Sequence, residues 1–207
     1  MKLVLVRHGE SEANLHTYYT GQMDVDLTEK GVQQAGNILP ILRSFKFDKV
    51  YCSDLKRTVQ TCANALPDAQ CEYTKLLREY DVGTLQGINY TDIVRVQSED
   101  LTVRPDYTHY NGENAEIVRG RARQFLEMLE KSDYECVAAF THFGFIGCLL
   151  QVMLGVYFDV SVVRTGNCAI HILSYDGEKW RIEALNYMKP IDDSGSMKHL
   201  PAGIMPL

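Results

Sequence analysis

Two histidines each follow a short apolar run. Leu3-Val4-Leu5-Val6 ends in Arg7-His8-Gly9-Glu10, and Cys136-Val137-Ala138-Ala139-Phe140 ends in Thr141-His142-Phe143-Gly144. Continuous apolar runs of this length mark strands buried on both faces. In open α/β sheets, ligands bind in the crevice at the carboxyl ends of the strands. Both histidines therefore fall where chemistry is expected, and adjacent strands would bring them together. Taken singly, either is as readily a hydrogen-bonded strand-end histidine; the pair, with arginine and glycine alongside, favours chemistry. A metal-dependent hydrolase built on His8, His142 and acidic partners lacks the H-x-H or H-x-x-x-H spacing that would support it. The formal charge of the 207-residue chain is −6, so an anionic substrate must be captured by a local cationic pocket against the global field.

The elements that must hold these residues alternate in type. After the first run, Thr28 opens a helix in which Leu27 and Val32 form a hydrophobic staple and Val32, Ala35, Leu39 and Leu42 share one face. Pro40 is expected to kink or end it. A strand near Val50-Tyr51 leads to Ser53-Asp54, residue types that cap a helix carrying Leu55, Val59, Cys62 and Leu66. A third helix spans about 113 to 130, with Val118, Ala122, Phe125 and Leu129 inward. Residues 143 to 158 read as a core helix. Ala169 to Leu173 and Arg181 to Leu185 read as strands joined by a turn at Asp176-Gly177. Strands alternating with helices predict a three-layer α/β/α sandwich around a mostly parallel central sheet. The chain is expected to form a single domain over 1–207, with an irregular tail over 189–207 where Pro, Gly and Ser accumulate.

Several motifs in this order carry a resemblance. Arg7-His8-Gly9-Glu10-Ser11-Glu12-Ala13-Asn14 resembles the signature of the histidine phosphatase superfamily, which includes phosphoglycerate mutases. Thr20-Gly21-Gln22-Met23-Asp24-Val25-Asp26-Leu27-Thr28-Glu29-Lys30-Gly31 is similar to its T-G-x-x-D-x-x-L-T-x-x-G stretch. Ser53 to Thr61 is similar to its S-x-L-x-R-T-x-Q-T helix start. Leu77-Arg78-Glu79 followed by Gly83-Thr84-Leu85-Gln86-Gly87 resembles its glutamate loop, Gly112-Glu113-Asn114 its G-E-S element, and Thr141-His142 the place of its second histidine. The resemblance implies a phosphoglycerate mutase-like fold and phosphoryl chemistry on a small phosphorylated substrate.

It also implies roles that the residue chemistry supports. His8 is the expected nucleophile, forming a phosphohistidine and splitting one displacement into two. Arg7 and Arg57 neutralise the phosphoryl oxygens, which guanidinium forks match bidentately, and the helix start near Arg57 adds backbone donors. His142 donates to the same group as a cation, and Asn14 adds a neutral donor. Glu79 protonates the leaving oxygen and then activates water. Thr20, Gly21, Glu113 and Phe143 are expected at the substrate. No metal or other cofactor is needed, because the cations supply the positive charge. For each charged residue a structural role stands beside the chemical one: Arg7 and Arg57 paired with Glu10, Glu12 or Asp54, Glu79 a solvated loop carboxylate, and Glu113 a first-turn helix residue. His16 and His109 flank the presumed site, while His171 lies in a strand pattern and His199 in the tail.

Departures from the family pattern bear on substrate rather than chemistry. Phe143 stands where the family often has glycine, Asn114 replaces the usual serine and Gln86 replaces a glutamate common among its phosphatases. Cofactor-dependent mutases carry a long basic insertion before the G-E-S element. Here residues 88 to 111 form a short segment whose only arginines are Arg95 and Arg104, which favours a phosphatase over a mutase. A non-catalytic phosphate-binding module is the rival from another class, and it would be expected to lack the nucleophile or the acid. Tyr18, Tyr19, Tyr90, Tyr107 and Tyr110 are candidates for a semi-polar wall against a sugar or nucleoside.

Composition excludes several classes. Residues are 45% hydrophobic and 23% charged, which excludes global disorder, and the acidic balance argues against nucleic-acid or anionic-membrane partners. Six cysteines without a C-x-x-C pair, three of them (Cys62, Cys136, Cys148) in stretches that read as core, favour free thiols in a cytoplasmic protein. Leu3 to Val6 is too short for a signal peptide, and residues 143 to 158 are too short for a membrane span. The oligomeric state is left open, a homodimer included.

Overall fold

The structure is a computed structural model that describes residues 1–93, 105–163 and 165–187. The irregular tail expected over 189–207, together with His199, Arg95 and Arg104, lies outside the described residues. Six strands, β1 (Lys2–Arg7), β2 (Lys49–Cys52), β3 (Cys71–Tyr73), β4 (Cys136–Thr141), β5 (Ile170–Tyr175) and β6 (Trp180–Tyr187), form one sheet in the order β3-β2-β4-β1-β5-β6. The first four are mutually parallel, β5 runs antiparallel to β1, and β6 runs antiparallel to β5. This is the mostly parallel α/β sheet expected from the runs; two short helices, α1 (Glu12–His16) and α4 (Tyr90–Ile93), accompany the four longer ones described below.

The period-two alternation of β1 divides the core into two layers. Leu3 and Leu5 face one side with Tyr51, Val137 and Ala139, and pack with α5 (Ala115–Glu130) and α6 (Phe143–Leu154). Val4 and Val6 face the other with Val50, Ala138 and Phe140, and pack with α2 (Glu29–Leu42) and α3 (Lys56–Ala65). All four β1 side chains are fully buried, each contributing about 1.5–3 kcal/mol of transfer free energy.

Helix α2 starts as expected, with Thr28 Oγ1 accepting from the Gly31 amide at 3.0 Å. Its buried face, however, is Gly31, Ala35, Ile38, Ile41 and Leu42, with Val32 exposed. Gly31 governs that phase: a Cβ there would meet the Glu10 carbonyl oxygen at 2.0 Å, so backbone contact decides which side faces inward. Pro40 does not end the helix, which runs on to Leu42. Gly36, whose carbonyl loses its donor, is exposed, so water can take that bond.

Helix α3 also departs from the expectation. Its N-cap is Leu55, with no side-chain cap; Ser53 and Asp54 are used elsewhere. Its buried face consists of Arg57, Thr58, Thr61, Cys62 and Ala65, while Val59 and Leu66 are half-buried. Helix α5 begins two residues later than expected because Asn114 caps it, accepting from Ile117 N at 3.1 Å. Glu113 therefore precedes the helix. Its inward face is the expected one, since Val118, Ala122, Phe125 and Leu129 are all buried.

Helix α6 ends at Leu154, where Gly155 takes the left-handed conformation with φ 67°. Among the described residues no helix is long and apolar enough to cross a membrane. All six cysteines are free, Cys136 and Cys71 being half-buried and the others buried.

Candidate active site

The site lies at the carboxyl edge of the central strands. β1 and β4 are neighbours in register, Arg7 opposite Thr141, and His8 N continues the ladder to Thr141 O at 3.0 Å. His8 and His142 thus leave adjacent strands side by side, ring centroids 5.2 Å apart. β2 contributes Ser53 at the same edge, its amide bonded to Phe140 O at 2.9 Å. A cavity of about 270 Å3 opens there, lined by Arg7, His8, Arg57 and Glu79 and walled by Tyr19, Tyr80, Tyr90, Tyr107 and Phe143. Asn14, Thr20 and Gly21 also line it, whereas His142 and Glu113 do not.

His8 is 4% exposed. Its Nδ1 lies 2.7 Å from Gly9 O, a group that can only accept, so Nδ1 carries the proton and Nε2 keeps its lone pair. Arg57 Nε donates to that Nε2 at 3.3 Å. Burial first, then Arg57 and Arg7, hold the imidazole well below its ordinary value of 6.5. Gly9 fits because a Cβ would meet Gly31 O at 2.6 Å, and its amide is held by Thr61 Oγ1 at 2.9 Å.

Neither arginine pairs with a carboxylate among the described residues; Glu10 takes Lys30 and Asp54 takes Arg78. Arg57 is 2% exposed and spends its outer nitrogens on carbonyls, Nη1 to Met23 O at 3.1 Å and Nη2 to Gly21 O at 2.9 Å. Burial lowers it to about 10. Arg7 donates through Nη1 to Thr165 O, and its buried Nε has no partner among the described residues. The Phe143 ring lies against its guanidinium, 5.4 Å from Cζ to centroid, so this ring faces the cavity and braces Arg7.

His142 is completely buried behind His8, its Nε2 within 2.9 Å of Ser53 Oγ and 3.1 Å of Thr58 Oγ1. Burial first, and Arg57 next, push it well below 6.5. The protein groups around it therefore favour the neutral ring, against the cation expected from the resemblance. The helix start near Arg57 also differs from expectation: the Lys56 amide is taken by Asp24 Oδ1 at 2.9 Å.

Glu79 is no solvated carboxylate. Its Oε1 accepts from Tyr80 N and its Oε2 from Gly144 N, both at 3.0 Å. The second donor belongs to the first turn of α6, where the helix dipole favours an anion. A Cβ on Gly144 would meet Glu79 Oε1 at 2.3 Å, which accounts for glycine at that position. Asn14 Oδ1 accepts from Ser11 and Asn167, leaving its amide nitrogen as the group for a ligand. Glu113 instead binds Arg121 at 2.8 Å and the Asp81 amide at 2.9 Å, away from the cavity.

Tyr18, Tyr110, His16 and His109 do not line the cavity, while Tyr19, Tyr90 and Tyr107 do. Sequence reasoning missed Tyr80, Gly144, Asn167 and the 159–161 turn. Gly144 carried a signal in being the glycine two residues after His142; the 159–161 turn carried none. Burial raises the Tyr80, Tyr90 and Tyr107 phenols, so that wall is neutral.

Comparison with known proteins agrees with this architecture. The chain is 29% identical to the adenosylcobalamin/α-ribazole phosphatase of Escherichia coli over 163 residues, 75% of this chain and 80% of that protein. It is 45% identical to the 2,3-bisphosphoglycerate-dependent phosphoglycerate mutase of Elusimicrobium minutum over 95 residues, 42% of this chain and 38% of that one. A mycobacterial glucosyl-3-phosphoglycerate phosphatase superposes with a TM-score of 0.79 at 26% identity, covering 90% of this chain and 99% of that one. Residues 3–188 match the family description of the Histidine phosphatase superfamily (branch 1), and the chain belongs to that family.

Proposed function

We propose that the protein is a metal-independent phosphomonoester hydrolase that passes its phosphoryl group through a phosphohistidine at His8. The observation that carries this reading is the His8 tautomer: Nδ1–H is spent on Gly9 O, and Nε2 keeps its lone pair beside Arg57. In the first step that lone pair attacks phosphorus and the ester P–O bond breaks. Protonated Glu79 gives its proton to the leaving oxygen. In the second step the Glu79 carboxylate takes a proton from water, the oxygen attacks phosphorus and the P–N bond breaks. This restores neutral His8 and releases phosphate.

Arg7 and Arg57 stabilise the charge that spreads over the phosphoryl oxygens, and their burial strengthens that interaction. Asn14 Nδ2 adds a donor from the lining, and His142 Nδ1, without a partner among the described residues, is the N–H proposed to reach the group from behind it. A phosphoryl dianion within hydrogen-bond reach of His142 favours its charged form, opposing the protein groups that keep it neutral.

The substrate we propose is a small phosphorylated metabolite whose organic part meets the neutral tyrosine wall. The two phosphatases align over three quarters of the chain or more, and the mutase over 42% of it. This coverage supports the phosphatase over the mutase. The test is phosphate release from p-nitrophenyl phosphate in excess EDTA, wild type beside His8→Ala. Hydrolysis that survives chelation and is lost in the variant is the expected result. Activity that EDTA abolishes contradicts the proposal. An inert wild type that interconverts 2- and 3-phosphoglycerate would establish the mutase instead.

A further inference from the structure

Glu79 sits in a stretch with little regular structure: only two short 3-10 turns, Lys75–Leu77 and Gly83–Leu85, flank it. No sheet ladder fixes its backbone, yet a general acid must be placed to within a fraction of an ångström. Helix α6 holds the Glu79 carboxylate through Gly144 N, and the Glu79 backbone is reached from α5, from which Arg121 projects. Arg121 Nη1 donates to Leu76 O at 3.1 Å and Arg78 O at 2.6 Å, and Nη2 donates to Glu79 O at 3.1 Å and Glu113 Oε2 at 2.8 Å. The same Glu113 oxygen accepts from Asp81 N at 2.9 Å and Gln22 Nε2 at 3.4 Å, and Gln22 Nε2 also donates to Glu79 O at 3.0 Å. Glu113 N closes the frame on Asp81 O at 2.8 Å.

We infer that Arg121, with Glu113 and Gln22 as its counterparts, is the positioning device for the acid–base step. It acts through the backbone of the Leu76–Asp81 segment and not on the substrate. Arg121 and Glu113 are partly buried partners at 15% and 19% side-chain exposure, and neither lines the cavity. One planar guanidinium serves four acceptors at once. A lysine ammonium cannot reproduce that fork. The peptide carbonyl of Glu79 receives two of these donors, so the frame grips the residue whose carboxylate must stay against the Gly144 and Tyr80 amides.

This inference rests on Glu79 being the general acid, and the experiment separates the two ideas. Measure kcat/KM, which reports phosphoryl transfer to His8, for phenyl phosphates graded from p-nitrophenyl to unsubstituted phenyl. Use wild type, Glu79→Gln, Arg121→Lys and Glu113→Gln, each checked for a cooperative thermal transition. A displaced acid matters most for the poor leaving group. Arg121→Lys and Glu113→Gln are therefore expected to lose on the order of 10- to 100-fold on phenyl phosphate. They lose far less on p-nitrophenyl phosphate, and the inhibition constant for inorganic phosphate is unmoved. If Arg121→Lys does not fold, Gln22→Ala carries the same expectation at a smaller amplitude. A uniform loss, or none, in the frame variants while Glu79→Gln remains leaving-group-sensitive overturns the positioning role alone. A leaving-group-insensitive loss in Glu79→Gln overturns the general-acid reading and this inference with it.

Discussion

At the scale of single residues, the central matter is how His8 can serve as the proposed nucleophile. A protonated imidazole has no lone pair to offer. Burial, Arg57 and Arg7 all act to lower its proton affinity from 6.5, so the neutral form persists as pH falls through that value. The sign follows directly: kcat/KM, corrected for the second ionisation of the substrate phosphate near about pH 6, should not lose a limb at 6.5. A pH–rate profile with an acid limb centred near 6.5 or above would contradict the assignment. Residues of this kind were legible because strand ends at a sheet's carboxyl edge select them. Ser53 and Asp54 were misread because hydroxyl and carboxylate side chains suit a helix cap as well as their observed partners. Ser53 instead faces His142, and Asp54 holds Arg78 at 2.6 and 2.7 Å.

At the scale of elements, two helices owe their placement to the site more than to their apolar stripes. Helix α3 buries Arg57, Thr58 and Thr61, a polar face that a hydrophobic periodicity cannot find. The phase of α5, buried against ordinary apolar neighbours, was legible from Val118, Ala122, Phe125 and Leu129. Helix α6 contributes through its first turn, where the absence of a side chain at 144 leaves room for the Glu79 carboxylate. Gly144→Ala should force that carboxylate or the Tyr80 ring aside, the added carbon lying 2.3 Å from Oε1 and 2.7 Å from the ring. The expected outcome is a fall in kcat on the order of tenfold or more. Overpacking should destabilise the fold by about 1–3 kcal/mol. Steady-state kinetics beside denaturant unfolding reads both, and a variant with wild-type kcat would show that the carboxylate position is not critical.

At the scale of the whole molecule, the sheet's buried imidazoles link folding to pH. His171, fully buried on β5, accepts from Asn186 N at 3.2 Å, and burial lowers it to about 4. The unfolded chain binds a proton near 6.5 that the folded chain refuses until about 4. Stability should therefore decline as pH falls through that window, by up to about 1.4 kcal/mol per pH unit for one such histidine. His8 and His142 act in the same direction. Denaturant unfolding of His171→Gln should show a shallower decline between pH 6.5 and 4 than wild type, and equal slopes would sink the idea. The mostly parallel sheet was legible from the buried runs. The order β3-β2-β4-β1-β5-β6 was not, because apolar runs specify strands and leave their neighbours open.

The proposed mechanism requires a covalent phosphoryl group on His8. The most direct measurement is an alkaline rapid quench during turnover of p-nitrophenyl phosphate, followed by peptide mass spectrometry of wild type and His8→Ala. A phosphoryl group that is stable to alkali, labile to acid, located at His8 and absent from the variant is the predicted result. Steady turnover with no phosphorylated peptide in the pre-steady-state window, or a phosphoryl group on any residue other than His8, would contradict it.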